Sequence, residues 1–261
     1  MEWGGFDSHS VAGAATIYDY AIDREEDPTS QRFEKQISGR YLGEITRKVI
    51  VHLMDSNLLF HDCNETTKQA SSSVFRTKHA FTTPMMSAIE HSTYDHVQLL
   101  ATNDTTSNSK FVRYFLSASE MDQKRIRTGW VTKMAMDSVI NLNAADSPAA
   151  FAKQTEMAHD FAAMWMLASD NERKIITDVC KMVSTRAARL AAAAIVAVVR
   201  KTGKKKCTVA VDGSVFEKYP HFKSDMEQAI MEMCGTSYDL TLVHAEDGSG
   251  KGAALIASCL P

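Results

Sequence analysis

At 261 residues the chain can form one large domain or two small ones, and 44% hydrophobic with 23% charged residues is an ordinary globular composition. A net charge of -3 excludes the strong basic excess that a nucleic-acid backbone demands, so no nucleic-acid partner is expected. Five cysteines, an odd number without a Cys-x-x-Cys pair, exclude a disulfide framework and a cysteine-built zinc site, and fit a reducing, cytoplasmic setting with mostly buried thiols.

The opening residues Met1-Glu2-Trp3-Gly4-Gly5-Phe6-Asp7 have neither the basic nor the apolar region of a secretory signal and read as the middle of a fold. From Gln31 to Leu59 the apolar residues Phe33, Ile37, Tyr41, Ile45, Val49 and Leu53 recur every four positions, which predicts one long helix. Arg40, Glu44, Arg47 and Lys48 are assigned to its polar face. Pro28-Thr29-Ser30 signals its start and Asp55-Ser56-Asn57 its end. A polar region from Asp62 to Ser73 follows, then a helical block from Ser87 to Ala101 and a loop of turn-formers from Thr102 to Ser109.

Phe111 to Ser169 reads as helical, broken at Asn141 to Pro148. A long helix is expected from Glu172 to Lys201, buried along Ile175, Val179, Val183, Ala187, Leu190 and Ala194. Its most apolar stretch, Leu190 to Val199, is short and alanine-rich, so no membrane span is expected. The basic run Lys201 to Lys206 reads as a solvated loop whose charge complements the helix C-terminus. The period then changes: Thr208 to Val211 and Asp239 to Val243 read as strands separated by a helix from Phe222 to Met233. Glu246 to Gly252 is a glycine-rich loop leading into a helix over Ala253 to Cys259. This alternation predicts an α/β fold, in which ligands sit beyond the carboxyl ends of the strands.

The glycine loop lets backbone N–H groups approach an anion, yet it is not a Walker A loop, because Ala245 and Gly252 stand at two of that motif's required positions. By residues alone a structural turn fits it nearly as well. Asp212-Gly213-Ser214 after a strand suits a ligand or a helix cap. Glu34 follows Phe33 of the apolar stripe and could face a cleft or pair with a surface cation. No His-Glu-x-x-His or Gly-x-Ser-x-Gly pattern occurs, and no metal ligand set is expected.

Taken in order, six blocks resemble the hexokinase family. Met1 to Phe6 is similar to its Glu-Trp-Gly-Ala/Gly-Phe motif, and Phe33-Glu34-Lys35-Gln36-Ile37-Ser38-Gly39-Arg40-Tyr41-Leu42-Gly43-Glu44 resembles its Phe-Glu-Lys-Met-Ile-Ser-Gly-x-Tyr-Leu-Gly-Glu segment. Thr77-Lys78-His79-Ala80-Phe81 resembles a Thr-Arg-Gly-x-Phe motif. The helix around Val183 to Ala188, Val211 to Phe216 and Glu246 to Leu255 resemble the later motifs.

The resemblance implies the large lobe of the actin-like ATPase (ribonuclease H-like) fold, a mixed sheet with packed helices. The whole of 1–261 would be one such domain, incomplete on its N-terminal side, with a helical insertion over 105–171 that could serve oligomer contact. It implies ATP-dependent phosphorylation of glucose or another hexose at the 6-hydroxyl, with Mg²⁺ arriving on the ATP. Glu2 and Glu34 would accept hydrogen bonds from sugar hydroxyls, which suits acceptor-only carboxylates. Nucleotide contacts would come from Gly39, Arg40, Thr77, Lys78, His79, Ala80 and Phe81. Further contacts would come from Asp212, Gly213, Ser214, Val215, Phe216, Glu217 and Lys218, with Ser249 and Gly250 near the adenosine end.

His79 replaces the family's usual glycine, which predicts a different local backbone, and Glu217 replaces a lysine found in many members. The family's phosphate-binding Leu-Gly-Gly-Thr-Asn turn and its catalytic Asn-Asp aspartate do not occur in these residues; they are expected upstream. The chain is thus expected to be inactive alone. A non-catalytic nucleotide-binding or subunit-interaction protein is the alternative, and an organelle such as the glycosome is the alternative address.

Overall fold

The computed structural model describes residues 12–91, 148–245 and 248–259. They divide into two compact units, one within 12–36, 40–91 and 148–183, the other within 37–39, 184–245 and 248–259.

The first unit opens with α1 (Ile17–Glu25), stapled by a reciprocal cap: the Asp19 carboxylate accepts from the Thr16 backbone N–H at 2.6 Å, and Thr16 Oγ1 accepts from Asp19 N–H. The expected single helix from Gln31 is instead two, α2 (Arg32–Ile37) and α3 (Gly39–Asp55), interrupted at Ser38. The polar Asp62–Ser73 region conceals another helix, α4 (Glu65–Arg76), whose N-cap Asn64 accepts from Thr67 N–H at 2.9 Å. Its serine and threonine positions hid it: Ser71 and Thr67 are buried beside Val74 and Phe75. Helix α5 covers 83–91; the expected continuation to Ala101 and the Thr102–Ser109 loop lie outside the described residues, as does 111–147.

Helix α6 (Pro148–Leu167) falls in the stretch expected to be a surface insertion, but Phe161, Met164 and Trp165 are buried. An aromatic chain links them to the rest of the unit. Phe60, Phe75, Phe81, Phe161 and Trp165 follow one another with centroid spacings of 6.2, 5.2, 6.1 and 6.2 Å. Each such ring contributes roughly 1.5–3 kcal/mol by burial, so this part of 105–171 is core.

Helix α7 (Asp170–Thr202) begins in the first unit and supplies its second half to the other. Ser169 and Glu172 cap it reciprocally. The buried stripe is Ile176, Val179, Cys180, Val183, Ala187, Ala188, Ala191, Ala192, Ile195, Val196 and Val199. Ile175, Leu190 and Ala194 are only half-buried, so the burying face is rotated from the expected one. Contrary to expectation, this helix is long and apolar enough to cross a membrane by length and composition, with a window of mean hydropathy 1.6; half of that window is buried within the protein, as in a core helix.

In the second unit, Gly203 at φ +69° ends α7, and Lys204 and Lys205 are exposed as the solvated-loop reading requires. Strand β1 (Lys206–Val211) pairs in parallel with β2 (Asp239–His244), Lys206 opposite Asp239 and Val211 opposite His244. Among the described residues this parallel pair is the only sheet, so no mixed sheet is seen. Helices α8 (Ser214–Lys218) and α9 (Phe222–Cys234) connect the strands. Helix α9 lies along the second half of α7, tied by Thr185 Oγ1 donating to Asp225 at 3.0 Å and by an Arg189–Glu232 pair at 2.7 Å. The final helix α10 spans Gly248–Cys259, so Gly248 to Gly252 is helical where a loop was expected. The five cysteines are unpaired: Cys180 and Cys234 are buried, Cys63 and Cys207 half-buried, and Cys259 exposed.

Candidate functional site

The residues singled out from the sequence fall into one cluster in each unit. Glu2 lies outside the described residues.

In the first unit the Thr77–Phe81 turn is held from below by Glu44. That carboxylate receives two bonds from Arg47, Nε to Oε2 at 2.7 Å and Nη2 to Oε1 at 2.6 Å, and a third from the His79 backbone N–H at 3.1 Å. Arg47 Nη1 donates to the Phe75 carbonyl at 2.6 Å. Glu44 and Arg47 are therefore buried positioning residues, not members of a solvated face. The stripe itself contained the signal, since Glu44 stands three positions from Tyr41 and Arg47 three from Ile50, distances that share a helix face. Gly43 lets the same turn approach α3: a Cβ there would sit 2.6 Å from backbone atoms of Phe81, Thr82 and Thr83.

His79 has φ +62°, the left-handed conformation that glycine adopts freely and other residues rarely take. Thr77, Lys78 and His79 are exposed and available to a ligand, whereas the side chains of Ala80 and Phe81 are committed to the core. Arg40, Lys78 and His79 line a cleft of about 500 Å³ together with Glu26, Lys35 and Tyr41. Arg40 also lies 5.4 Å over the Tyr41 ring. Burial pushes the Tyr41 hydroxyl pKa up, Arg40 opposes this, and Glu26, Glu34 and Asp27 add to it. Glu34, the expected sugar ligand, is half-buried on α2.

The wall behind the cleft is a charged network. The Asp23 carboxylate accepts from Arg32 Nε at 2.8 Å, Lys35 Nζ at 3.0 Å and Thr29 N–H at 3.2 Å, while Lys35 also donates to the Asp27 carbonyl at 2.7 Å. Burial raises the Asp23 pKa, but the bonds from Lys35, Arg32 and Thr29 outweigh it and hold the group below its ordinary value.

In the second unit the cluster is made of backbone. Because β1 and β2 run parallel with Val211 opposite His244, the segments leaving both strands emerge at the same end of the sheet. Ala245 N–H donates to the Val211 carbonyl at 3.0 Å and locks that end. Asp212, Gly213 and Ser214 are exposed there, and Gly213, at φ +152°, makes the turn into α8. Helix α10 starts three residues beyond Ala245, which places Ser249 and Gly250 in its first turn. Gly39 reaches the same place: a Cβ on it would stand 2.5 Å from Val215 Cγ2. Phe216 is buried and serves packing, while Glu217 and Lys218 are exposed, with Glu217 3.9 Å from His244. Gly39 and the Asp212–Lys218 segment, far apart in sequence, thus meet at the carboxyl end of a parallel sheet, and α10 begins three residues beyond the Ala245 that closes that end. No group of three or more metal-ligating His, Cys, Asp or Glu side chains is found among the described residues.

A family model described as Hexokinase matches residues 1–121 and 106–259. The chain is 30% identical over 269 residues to Hexokinase-1 of Spinacia oleracea, covering 99% of this chain and 41% of the relative. It is 31% identical over 263 residues to Hexokinase-1 of Saccharomyces cerevisiae, covering 98% and 41%. Among solved structures, a hexokinase from Schistosoma mansoni complexed with glucose matches with TM-score 0.61 and 24% identity, over 98% of this chain and 45% of that one. A second hexokinase structure matches with TM-score 0.55 and 23% identity, over 94% and 40%. At those identities the structural likeness establishes the fold, a mostly helical α/β arrangement with a small parallel sheet. The chain spans about two fifths of the length of these relatives.

Proposed function

The chain belongs to the hexokinase family, and we propose that it supplies the nucleotide cradle and part of the sugar site of a kinase that phosphorylates glucose or another hexose at its 6-hydroxyl from ATP. In this reading 1–261 is the large lobe of the actin-like ATPase fold. Gly39, the Asp212–Lys218 segment and the start of α10 receive the nucleotide. Glu2 and Glu34 accept hydrogen bonds from sugar hydroxyls, and Mg²⁺ enters as part of the MgATP substrate.

The observation that carries the reading is the meeting of Gly39 with Val215 at the end of the parallel strands. Backbone N–H groups at two helix starts can approach an anion there without a side chain in the way. Phosphoryl transfer depends chiefly on positioning and charge stabilisation, with a carboxylate taking the hydroxyl proton. The family's phosphate-binding turn and its catalytic aspartate do not occur in these 261 residues. Loss of a general base alone removes roughly 10²–10⁴-fold in rate, so the chain by itself is proposed to bind and not to turn over.

Isothermal titration tests the cradle. The parent chain should bind MgATP, and Gly39→Ala should weaken it about tenfold or more by driving a methyl group into Val215. Unchanged affinity in a folded Gly39→Ala protein would sink the cradle assignment. A coupled assay for glucose 6-phosphate tests the rest: turnover by this chain that disappears on Glu34→Ala would overturn the inactivity while supporting the sugar site.

A further inference from the structure

Glu26 stands in the first-unit cleft in a way the packing around it does not explain. Its Oε1 is buried and has no hydrogen-bond partner, although three groups close on the carboxylate. His79 Nε2 lies 3.0 Å and Lys78 Nζ 3.7 Å from Oε1, and Arg40 Nη2 lies 3.9 Å from Oε2. The His79 approach lacks the alignment that a hydrogen bond needs.

Glu44, one turn of helix beyond Arg40, shows what a structural pair looks like in this unit: both oxygens are bonded, at 2.6 and 2.7 Å, by an Arg47 that is only 9% exposed. The groups around Glu26 are different in kind. Arg40, His79 and Lys78 are 74, 55 and 44% exposed, so a ligand can reach them from solvent, and Lys78 Nζ also lies 3.6 Å from Glu25 Oε2. A buried carboxylate oxygen without a hydrogen bond is unfavourable, and the packing around Glu26 does not relieve it. The cleft, about 500 Å³, has room for a ligand. Its wall carries a fixed positive charge, Lys35, whose ammonium is held by Asp23 and by the Asp27 carbonyl.

We propose that Glu26 is a built-in competitor for a phosphate chain. Arg40, Lys78 and His79 bind the phosphate oxygens of a nucleotide or polyphosphate, and Glu26 occupies the same three groups when the ligand is absent. The inference rests on the nucleotide contacts that the family resemblance implies for Arg40, Lys78 and His79, and adds the residue that regulates access to them. Neutralising Glu26 therefore strengthens binding, the reverse of what removing a ligand contact does.

The test is titration of the full chain and of E26Q with MgATP, tripolyphosphate and adenosine. E26Q should bind MgATP and tripolyphosphate about tenfold more tightly than the parent, with adenosine unchanged, and the gain should vanish in the double variant with Lys78→Ala. Glu65→Gln, which removes the same charge from an exposed carboxylate paired with Lys68, should change either affinity less than twofold. If E26Q fails to fold, Lys78→Ala alone should still weaken tripolyphosphate several-fold. Equal or weaker MgATP binding by E26Q than by the parent overturns the competition and leaves the nucleotide reading standing. A tripolyphosphate gain with no MgATP binding by either chain keeps the competition and removes the nucleotide reading. No binding of either ligand by any variant overturns both.

Discussion

The two units build their ligand-facing turns by opposite means. In the first unit every described residue in the left-handed backbone region is something other than glycine: Asp27, Thr29, Gln31, Asn57, Phe60 and His79. In the second, three of the four are glycines, Gly203, Gly213 and Gly235, with His221 the exception. A non-glycine residue pays roughly 1–2 kcal/mol for that conformation, so the first unit needs tertiary bonds to hold its turns, and it has them. Asp23 and Lys35 clamp the 27–31 turn, and Glu44 clamps the turn at His79. At Gly203, Gly213 and Gly235 the second unit needs no clamp, because glycine permits the turn locally. The polar residues of its strand-end turn, Asp212, Ser214 and Glu217, are exposed.

The contrast predicts unequal fragility, and Glu44 should expose it most. Glu44→Ala strands a buried Arg47 and releases the His79 N–H, a loss of about 3–5 kcal/mol by the usual cost of breaking a buried pair. The exposed Arg189–Glu232 pair of the second unit is the matched control, and Arg189→Ala should leave the melting temperature unchanged within error. Chemical denaturation of both variants checks this. Similar losses from the two would erase the distinction between a clamped unit and a locally coded one.

Asp23 sharpens the same point through pH. Its pKa is lowered in the fold, so its contribution is complete above the ordinary carboxylate value near 4 and is lost as pH falls through the lower folded value. Asp23→Asn should cost about 2–3 kcal/mol at pH 7, because it leaves Lys35 buried with half its partners. The gap between variant and parent should narrow steadily below about pH 4. A gap that stays constant down to pH 2 would mean that the network is not the source of the acid sensitivity.

This division also explains what could be read from the amino-acid order. The strands, the Asp212-Gly213-Ser214 turn and the long helix that runs into the second unit are encoded by nearby residues: β-branched runs, glycine at a turn, alanine on a buried helix face. Their expected and observed bounds differ by a few residues. The first unit was less legible because its decisive bonds join residues far apart in sequence. Ser38 breaks a stripe whose period continues unbroken, α4 buries hydroxyls that look like a polar linker, and Glu44 shares a face with Tyr41 although its charge suggests solvent. Glu26 carried no motif at all. Among the candidate ligand residues, side-chain burial also separated roles that the motif alone runs together: Phe81 and Phe216 are core, while Lys78 and Glu217 beside them are free to face a ligand.

His79 gives the smallest effect and the most direct measure of the clamp. Its backbone sits at φ +62° with its N–H bonded to Glu44. Two substitutions separate the backbone from the side chain: His79→Ala keeps a Cβ in the left-handed region, whereas His79→Gly removes it. Both lose the imidazole beside Glu26, so their difference reports conformation alone. His79→Gly should be about 1 kcal/mol more stable than His79→Ala, the usual penalty for a non-glycine residue in that region. The margin should widen no further, because the Glu44 bond to the backbone is the same in both. Equal stabilities would show that the Glu44–Arg47 clamp imposes the turn so completely that the local preference no longer registers. A larger margin would show the reverse, a turn that depends on its own residue much as the Gly213 turn does.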